Sequence, residues 1–422
     1  MREMKDSGIE WIGEIPINWE VEKFKYTLVR KSVKNIYDSQ ILSLYREHGV
    51  VPKDSRDDNH NVTSEDTSNY RYVRKGDFVV NKMKAWQGSV AISKFEGVVS
   101  PAYFVYSFIG EKFNRDYFHY LLRDKSYATE FKRLSGGIRV GQWDLPAYSL
   151  ENTLVIIPPL TEQKVIADFL DEKCSEIDAL TNDINAQIET LEQYKRSVIT
   201  EAVTKGLDPD VKMKDSGIEW VGEIPESWGI HPLYFYFKER KHKNILGRET
   251  NLLSLSYGRV IRKNINSNGG LLPESFNTYN IVEVNDIVIR PTDLQNDKRS
   301  LRTGLVKEHG IITSAYIALK SKSELSAKYY HYLLHAYDTM KVFYNMGNGV
   351  RQGLTFTEFS HLLVLAPTKE EQQDIATFLD VKCTEIDKTI TDKKQQLEIL
   401  ADYKKSLIYE YVTGKKEVKP NE

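Results

Sequence analysis

The chain has 422 residues, 58 Lys plus Arg against 60 Asp plus Glu, and 41% hydrophobic content that includes 25 Tyr, 16 Phe and 6 Trp. This excludes a disordered chain and, at ~100 to 200 residues per domain, leaves room for roughly two to four domains. Only two Cys exclude a disulfide framework and a Cys-rich zinc site and point to a reducing compartment, so the cytoplasm is expected. No stretch reaches the ~18 to 20 apolar residues of a membrane span, and the acidic start leads into no apolar run, so neither membrane insertion nor export is expected.

The first element in the chain, MKDSGIEWIGEIPINW at 4–19, returns as MKDSGIEWVGEIPESW at 213–228, an offset of 209. Further on, EQKVIADFLDEKCSEID at 162–178 returns as EQQDIATFLDVKCTEID at 371–387, again at 209. Between these anchors the match is faint but in register: Asp77–Val80 with Asp286–Ile289, His119–Leu122 with His331–Leu334, and Gly137–Arg139 with Gly349–Arg351, the offset drifting from 209 to 212. One repeat is thus a near-invariant opening block, a divergent stretch of ~140 residues and a near-invariant tail, which is one domain by size. The expected class is α+β, mixed α/β, with two globular domains, an internal pseudo-twofold repeat and two long helices. The boundaries read 1–158 for the first domain, 159–204 for the first helix, 205–367 for a linker and the second domain, 368–413 for the second helix, and 414–422 for a tail.

Within the first domain, strand-like Phe78–Val80 and Ser89–Ser93 bracket a polar turn, Asn81-Lys82-Met83-Lys84-Ala85-Trp86-Gln87-Gly88. Its counterpart, Arg290 to Arg299 followed by Arg302, is longer and chemically different. The pattern suggests one scaffold carrying two different heads. Aromatic helical segments, Phe113–Phe131 and Tyr329–Phe343, lead into Gly-rich loops, Ser135–Arg139 and Gly347–Arg351. Their backbone N–H groups suit a phosphate, although a plain turn explains the glycines equally well. Trp11, Trp19, Trp220 and Trp228 sit in the opening blocks and read as packing anchors. Trp86 and Trp143 remain open.

The tails carry the strongest periodicity. Leu170, Ile177, Ile184, Leu191 and Val198 recur every seven residues, with Cys174, Leu180, Ile188 and Tyr194 between them, a heptad seam. In the second tail Leu379, Cys383, Ile386, Ile390, Leu397, Leu400, Tyr403 and Leu407 form the stripe, with Lys393 where the first has Ile184, so a gap or a surface position is expected there. Pro158-Pro159 and Pro367 precede the helices, Thr161 reads as an N-cap, Thr368 with Glu371 as a capping box, and Gly206 and Gly414 as stops. About 43 residues at ~1.5 Å each give ~65 Å, so each stripe needs a partner, and the other copy supplies one. Parallel packing would require the connection to run back along a whole helix. Residues 205–212 are too few for that, so an antiparallel coiled coil is expected. The two Cys take equivalent seam positions and read as small packed hydrophobes.

The overall charge of −2 hides a division. Residues 161–203 carry −6 and 370–413 carry −4, which leaves +8 for the rest. Phe237–Lys263 holds eight bases against two Glu, Lys298–Lys307 four bases and no acid, and Arg71–Lys84 five against Asp77. Each cluster alone fits a solvated face, but their repetition in both domains favours a nucleic-acid partner, double-stranded DNA included. No phosphate-binding fingerprint, methyltransferase loop or metal-spaced ligand set is present, so the chain is expected to bind and not to catalyse, without a metal of its own.

The duplicated EQ...IA.FLD.KC.EID block, NKMKAWQGSVAI with GVVSPAYFVY, and DIVIRPTDLQNDKRSLRTGLVKEHGIITSAYIAL resemble the specificity subunit of Type I restriction-modification enzymes, over essentially the whole chain. The resemblance implies two target-recognition domains, each reading half of a bipartite, asymmetric DNA sequence, with the coiled coil setting the spacer. It also implies partners: two adenine methyltransferase subunits that bind S-adenosylmethionine, and restriction/translocase subunits that use ATP and Mg, leaving no cofactor for this chain. The acidic helices and opening blocks would meet those partners. DNA would meet Lys82, Lys84, Gln87, Arg139 and Gln142 in the first domain, and Arg290, Lys298, Arg299, Arg302, Arg351 and Gln352 in the second. The competing expectation is a non-catalytic coiled-coil scaffold with two protein-binding heads.

Overall fold

The computed structural model describes residues 2–36, 38–55, 66–137, 143–263, 275–292, 294, 301–346 and 353–419. The chain divides into two compact units, one of residues 1–184 with 394–422 and one of residues 185–393. Both are mixed α/β.

In the first unit an antiparallel sheet takes the spatial order Leu28–Lys31, Tyr103–Phe108, Phe78–Asn81, Val90–Ile92. The run Phe78-Val79-Val80 is buried on both faces, and the period-two alternation of a strand divides it. Phe78 and Val80 join the main core with Tyr117, Phe118 and Leu121, while Val79 joins a smaller cluster with Leu42, Leu44, Val50 and Val73. The main-core face is covered by the helices Arg115–Arg123 and Lys125–Leu134, each started by a side-chain cap: Asn114 accepts from the Tyr117 amide and Asp124 from that of Ser126.

The second unit repeats this topology. Its sheet runs Phe237–Glu239, Ile317–Ser321, Ile287–Ile289, Thr303–Leu305, and Ile287 and Ile289 enter the main core while Val288 enters the smaller one. The hairpin Leu42–Tyr45/Gly49–Pro52 has its counterpart in Leu253–Ser256/Arg259–Arg262. A single helix, Ala327–Thr339, stands where the first unit breaks at Asp124.

The first long helix spans Leu160–Lys205 and the second Lys369–Val412. Within each unit their segments run antiparallel. In the first, the Phe169 and Tyr411 rings lie 4.5 Å apart and Lys404 Nζ reaches Asp178 Oδ1 at 2.6 Å. In the second, Lys195 reaches Asp387 Oδ1 at 2.6 Å and Lys393 reaches the Gln187 amide oxygen.

Leu170, Ile177, Ile184, Leu379, Ile386 and Leu407 are buried, while Leu191, Val198 and Leu400 are only half-buried. The expected seam fails further at Leu180, Tyr194 and Tyr403, which are 47%, 54% and 55% exposed. An α-helix drifts by ~20° per heptad, so the four heptads from Leu170 to Val198 turn the stripe by almost one residue. Ile199, 3% exposed, takes the place expected for Val198. Lys393 fills the expected gap as a half-buried stem with its ammonium at Gln187.

Thr161 is not an N-cap, because the helix already begins at Leu160, where the amides of Glu162 and Gln163 turn back to the Pro159 carbonyl. Thr368 and Glu371 do form a reciprocal box, at 2.9 and 3.2 Å. Gly206 and Gly414 end the helices at φ +78° and +72°. A Cβ on Gly414 would stand 2.5 Å from Pro16 Cδ, so both the dihedral and the space demand glycine there.

The near-invariant segments make the joint between each sheet domain and the helices. Trp19 and Trp228 are buried, and each indole N–H donates at 3.1 Å to a helix carboxylate, Glu162 and Glu371 respectively. Gln163 accepts from the Asn114 amide at 2.7 Å, and Gln372 from that of Ser326 at 3.2 Å. Tyr117 donates its hydroxyl to the Val412 carbonyl at 2.8 Å, and Tyr329 to that of Val203 at 3.2 Å. Trp11 is half-buried with its ring centroid 4.8 Å from that of Tyr127, edge to face, whereas Trp220 is 41% exposed with its centroid 6.1 Å from that of Tyr337. Cys174 and Cys383 are buried and free.

Candidate nucleic-acid interface

In the first unit the strand Phe78–Asn81 ends on a buried Asn81, whose side-chain oxygen accepts from the Met83 amide at 3.2 Å. The Asn81 amide reaches the Ser89 carbonyl at 3.1 Å, closing a turn of residues 82–88. Inside it, Ala85–Gln87 forms a single 3-10 turn anchored by the buried Ala85, and Gly88 leaves it at φ +85°. That geometry lifts Lys84 and Gln87 into solvent. Lys82 is half-buried and pairs with Asp144 at 3.4 Å.

The turn and the Gly-rich loop meet. The Leu145 amide donates to the Lys82 carbonyl at 2.9 Å, Gly136 and Asp144 exchange backbone hydrogen bonds at 3.1 and 3.0 Å, and the Trp86 and Trp143 rings lie 5.2 Å apart. Residues 82–88, 136 and 143–145 therefore form one edge. Arg139 and Gln142 lie outside the described residues.

The second unit has the same junction 209 residues later. The Arg290 amide reaches the Arg302 carbonyl at 2.8 Å, and the Leu354 amide donates to the Pro291 carbonyl at 2.9 Å. Arg290 is half-buried at the base of the turn. Lys298, Arg299, Arg351 and Gln352 lie outside the described residues.

Arg302 departs from its expected role. Its side chain is fully buried, with Nη1 donating to the Thr292 carbonyl at 2.5 Å and its own amide donating to Asp338 Oδ2 at 2.5 Å. A guanidinium so enclosed reaches no base edge. Burial pushes the Asp338 carboxyl up to about 6, against the pull of the Arg302 amide and charge.

Two further arginines lie near the first edge. Arg30 and Arg71 lie over the Phe104 ring at 5.7 and 5.8 Å, and Arg71 donates to the Tyr103 carbonyl, opposite Asn81 in the sheet register. Burial, followed by the like charge of Arg30, lowers the Arg71 pKa. Arg71 falls within the basic cluster of the sequence, whereas Arg30, beside Lys31 in the strand Leu28–Lys31, lies outside the clusters singled out there. In the second unit several clustered cations are already paired: Arg240 with Asp286 at 3.0 Å, Arg262 with Glu308 at 2.7 Å and Arg259 with Asp387 at 3.0 Å. The basic run Phe237–Lys263 is thus less free than its composition implies.

Among the described residues, no group of three or more His, Cys, Asp or Glu side chains is placed to hold a metal ion, and no helix is long and apolar enough to cross a membrane.

Residues 28–190 and 306–399 match the family described as the Type I restriction modification DNA specificity domain. The chain belongs to that family. It is 26% identical to the putative type I restriction enzyme MjaX specificity subunit of Methanocaldococcus jannaschii, across 97% of this chain and 96% of the relative. It is 28% identical to the type I restriction enzyme MjaVIII specificity subunit of the same organism, across 64% of this chain and 63% of that one. Among solved structures, the HsdS subunit from Thermoanaerobacter tengcongensis superposes with a TM-score of 0.54 at 13% identity, covering 95% of this chain and 98% of that one. A chain from a study of complex assembly and conformational transition of the type I R-M system gives 0.69 at 12% identity, covering 95% and 99%. At these identities the superpositions speak for the fold alone. The family assignment makes this chain a DNA sequence-recognition protein of restriction-modification systems.

Proposed function

We propose that this chain is the non-catalytic specificity subunit of a Type I restriction-modification complex, reading an asymmetric bipartite target with one half-site per domain. The observation that supports this most directly is the contrast between repeated scaffold and unrepeated edge. The same sheet order and the same backbone junction carry turns of different length and chemistry. Identical readers would favour an inverted repeat, whereas unlike turns fit two unlike half-sites.

In this reading Lys82, Lys84, Gln87, Arg139 and Gln142 meet the first half-site, and Arg290, Lys298, Arg299, Arg351 and Gln352 the second. Arginine and glutamine supply bidentate contacts to base edges, and lysine supplies phosphate charge. The paired long helices set the spacer, and their acidic faces together with the opening blocks receive two methyltransferase subunits and the restriction subunits. S-adenosylmethionine, ATP and Mg then belong to those partners, and the assembly works in the cytoplasm.

The test replaces residues 20–158 with the same segment of a related chain and maps methylated adenines in cells that also express the partner methyltransferase. A new first half-site with an unchanged second one is expected. An unchanged target, or no sequence-dependent DNA affinity in the complex, overturns the reading and leaves a scaffold with two protein-binding heads.

A further inference from the structure

The two turns differ in how their ends are held. In the first unit residues 82–88 separate Asn81 from Ser89, and in the second residues 291–301 separate Arg290 from Arg302, so Arg302 stands where the first unit has Ser89. A longer closed loop loses more conformational freedom on ordering. The second turn contains a tether that the first lacks. The buried Arg302 guanidinium donates to the Thr292 carbonyl at 2.5 Å, so the residue that ends the turn grips its beginning. Asp338, 1% exposed at the end of helix Ala327–Thr339, accepts the Arg302 amide at 2.5 Å and fixes that grip to the core. At the same offset along the helix the first unit has Ser126.

A buried guanidinium and carboxylate are costly unless each meets a partner, and replacing the two with apolar groups is often no less stable. Their presence therefore asks for a reason other than stability. The neighbouring Pro291 carbonyl receives the Leu354 amide, so the short base at 290–292 carries both the turn and the loop behind it. Fixing this base fixes the points from which both segments depart.

Resting on the proposal that the second domain reads DNA, we propose that Arg302 and Asp338 are positioning residues for the second half-site. They hold the mouth of the longer turn in one geometry and touch no base themselves. A reading edge held this way discriminates between bases because its donors cannot shift to suit a wrong one.

The test measures methylation by the complex of this chain with its methyltransferase partner, on duplexes carrying single-base changes in either half-site. Arg302→Met is expected to lower discrimination at the second half-site about tenfold while the first stays as in the wild type, and Arg302→Lys to recover part of it. Hydrogen exchange of helix Ala327–Thr339 reports whether the domain stays folded. Should Arg302→Met unfold it, Arg302→Lys decides alone, with an intermediate loss expected at the second half-site only. Unchanged discrimination, equal loss at both half-sites, or a uniform drop in rate on every second-site duplex overturns the proposal. A wild-type complex without half-site preference instead overturns the functional reading on which it rests.

Discussion

The first and second domains agree at the buried joint with the long helices and disagree where a turn leaves the sheet. Trp19 and Trp228, Gln163 and Gln372, and Tyr117 and Tyr329 make the same hydrogen bonds to the same kinds of partner. Beyond the strands that end at Asn81 and Ile289, the backbone junction is what recurs among the described residues. Sequence identity between the repeats thus marks the joint that both copies must make, and divergence marks surfaces free to differ.

The largest test of this equivalence is to truncate each anchor. Trp19→Ala and Trp228→Ala should each cost about 3 to 5 kcal/mol, because both leave a large cavity and remove one hydrogen bond from a helix carboxylate. Hydrogen exchange read separately for each unit should show nearly equal losses, and a large difference would break the equivalence.

Acid should separate the two. Burial, then the charges of Arg123 and Lys94, lowers His119 to about 3. In the second unit burial lowers His331 to about 3 and His335 to about 4, aided by the other histidine for His331 and by Lys195 and Arg196 for His335. These folded values lie below the ordinary 6.5, so the unfolded chain takes up protons first, and stability falls as pH drops below 6.5. Each histidine contributes up to about 1.4 kcal/mol per pH unit in that window, so the second unit should lose protection more steeply. Asp338 acts in the opposite sense: its folded value of about 6 exceeds the ordinary 3.8, and it gains stability as pH falls through 6. Asp338→Asn removes that compensation and should steepen the loss between pH 6 and 4.

Smaller effects sharpen the same comparison. Tyr117→Phe should cost about 1 to 2 kcal/mol and Tyr329→Phe somewhat less, since the second hydroxyl sits farther from its carbonyl. Lys404→Ala should cost about 0.2 to 1 kcal/mol, and Lys195→Ala less, because Asp387 keeps Arg259 as a second partner. Chemical denaturation of the four variants checks both orders.

Much of the fold was legible because repetition and period are local signals: the duplicated blocks, the buried Leu170, Ile177, Leu379 and Ile386, and the capping box at Thr368 follow from spacing alone. The errors share a physical origin. Tyr194 lies one residue short of the seven-residue count from Ile188, and the ~20° drift per heptad carries the buried stripe farther from it. Arg302 reads as a surface arginine until Asp338, 36 residues away, is brought to its amide. Arg262 and Arg240 look free until Glu308 and Asp286, each 46 residues on, neutralise them. Charge clusters can be seen in a sequence, but their partners appear only once the chain has folded.

The hydrogen bond from Tyr117 to Val412 has a bearing on how the molecule is made. The second unit is one uninterrupted segment, 185–393, whereas the first needs residues 394–422 as well. During synthesis, the part that leaves the ribosome first must therefore wait for the last helix to be delivered. A chain ending before residue 394 would hold every residue of the second unit but leave the first open along the side where Leu407, Tyr411 and Val412 belong.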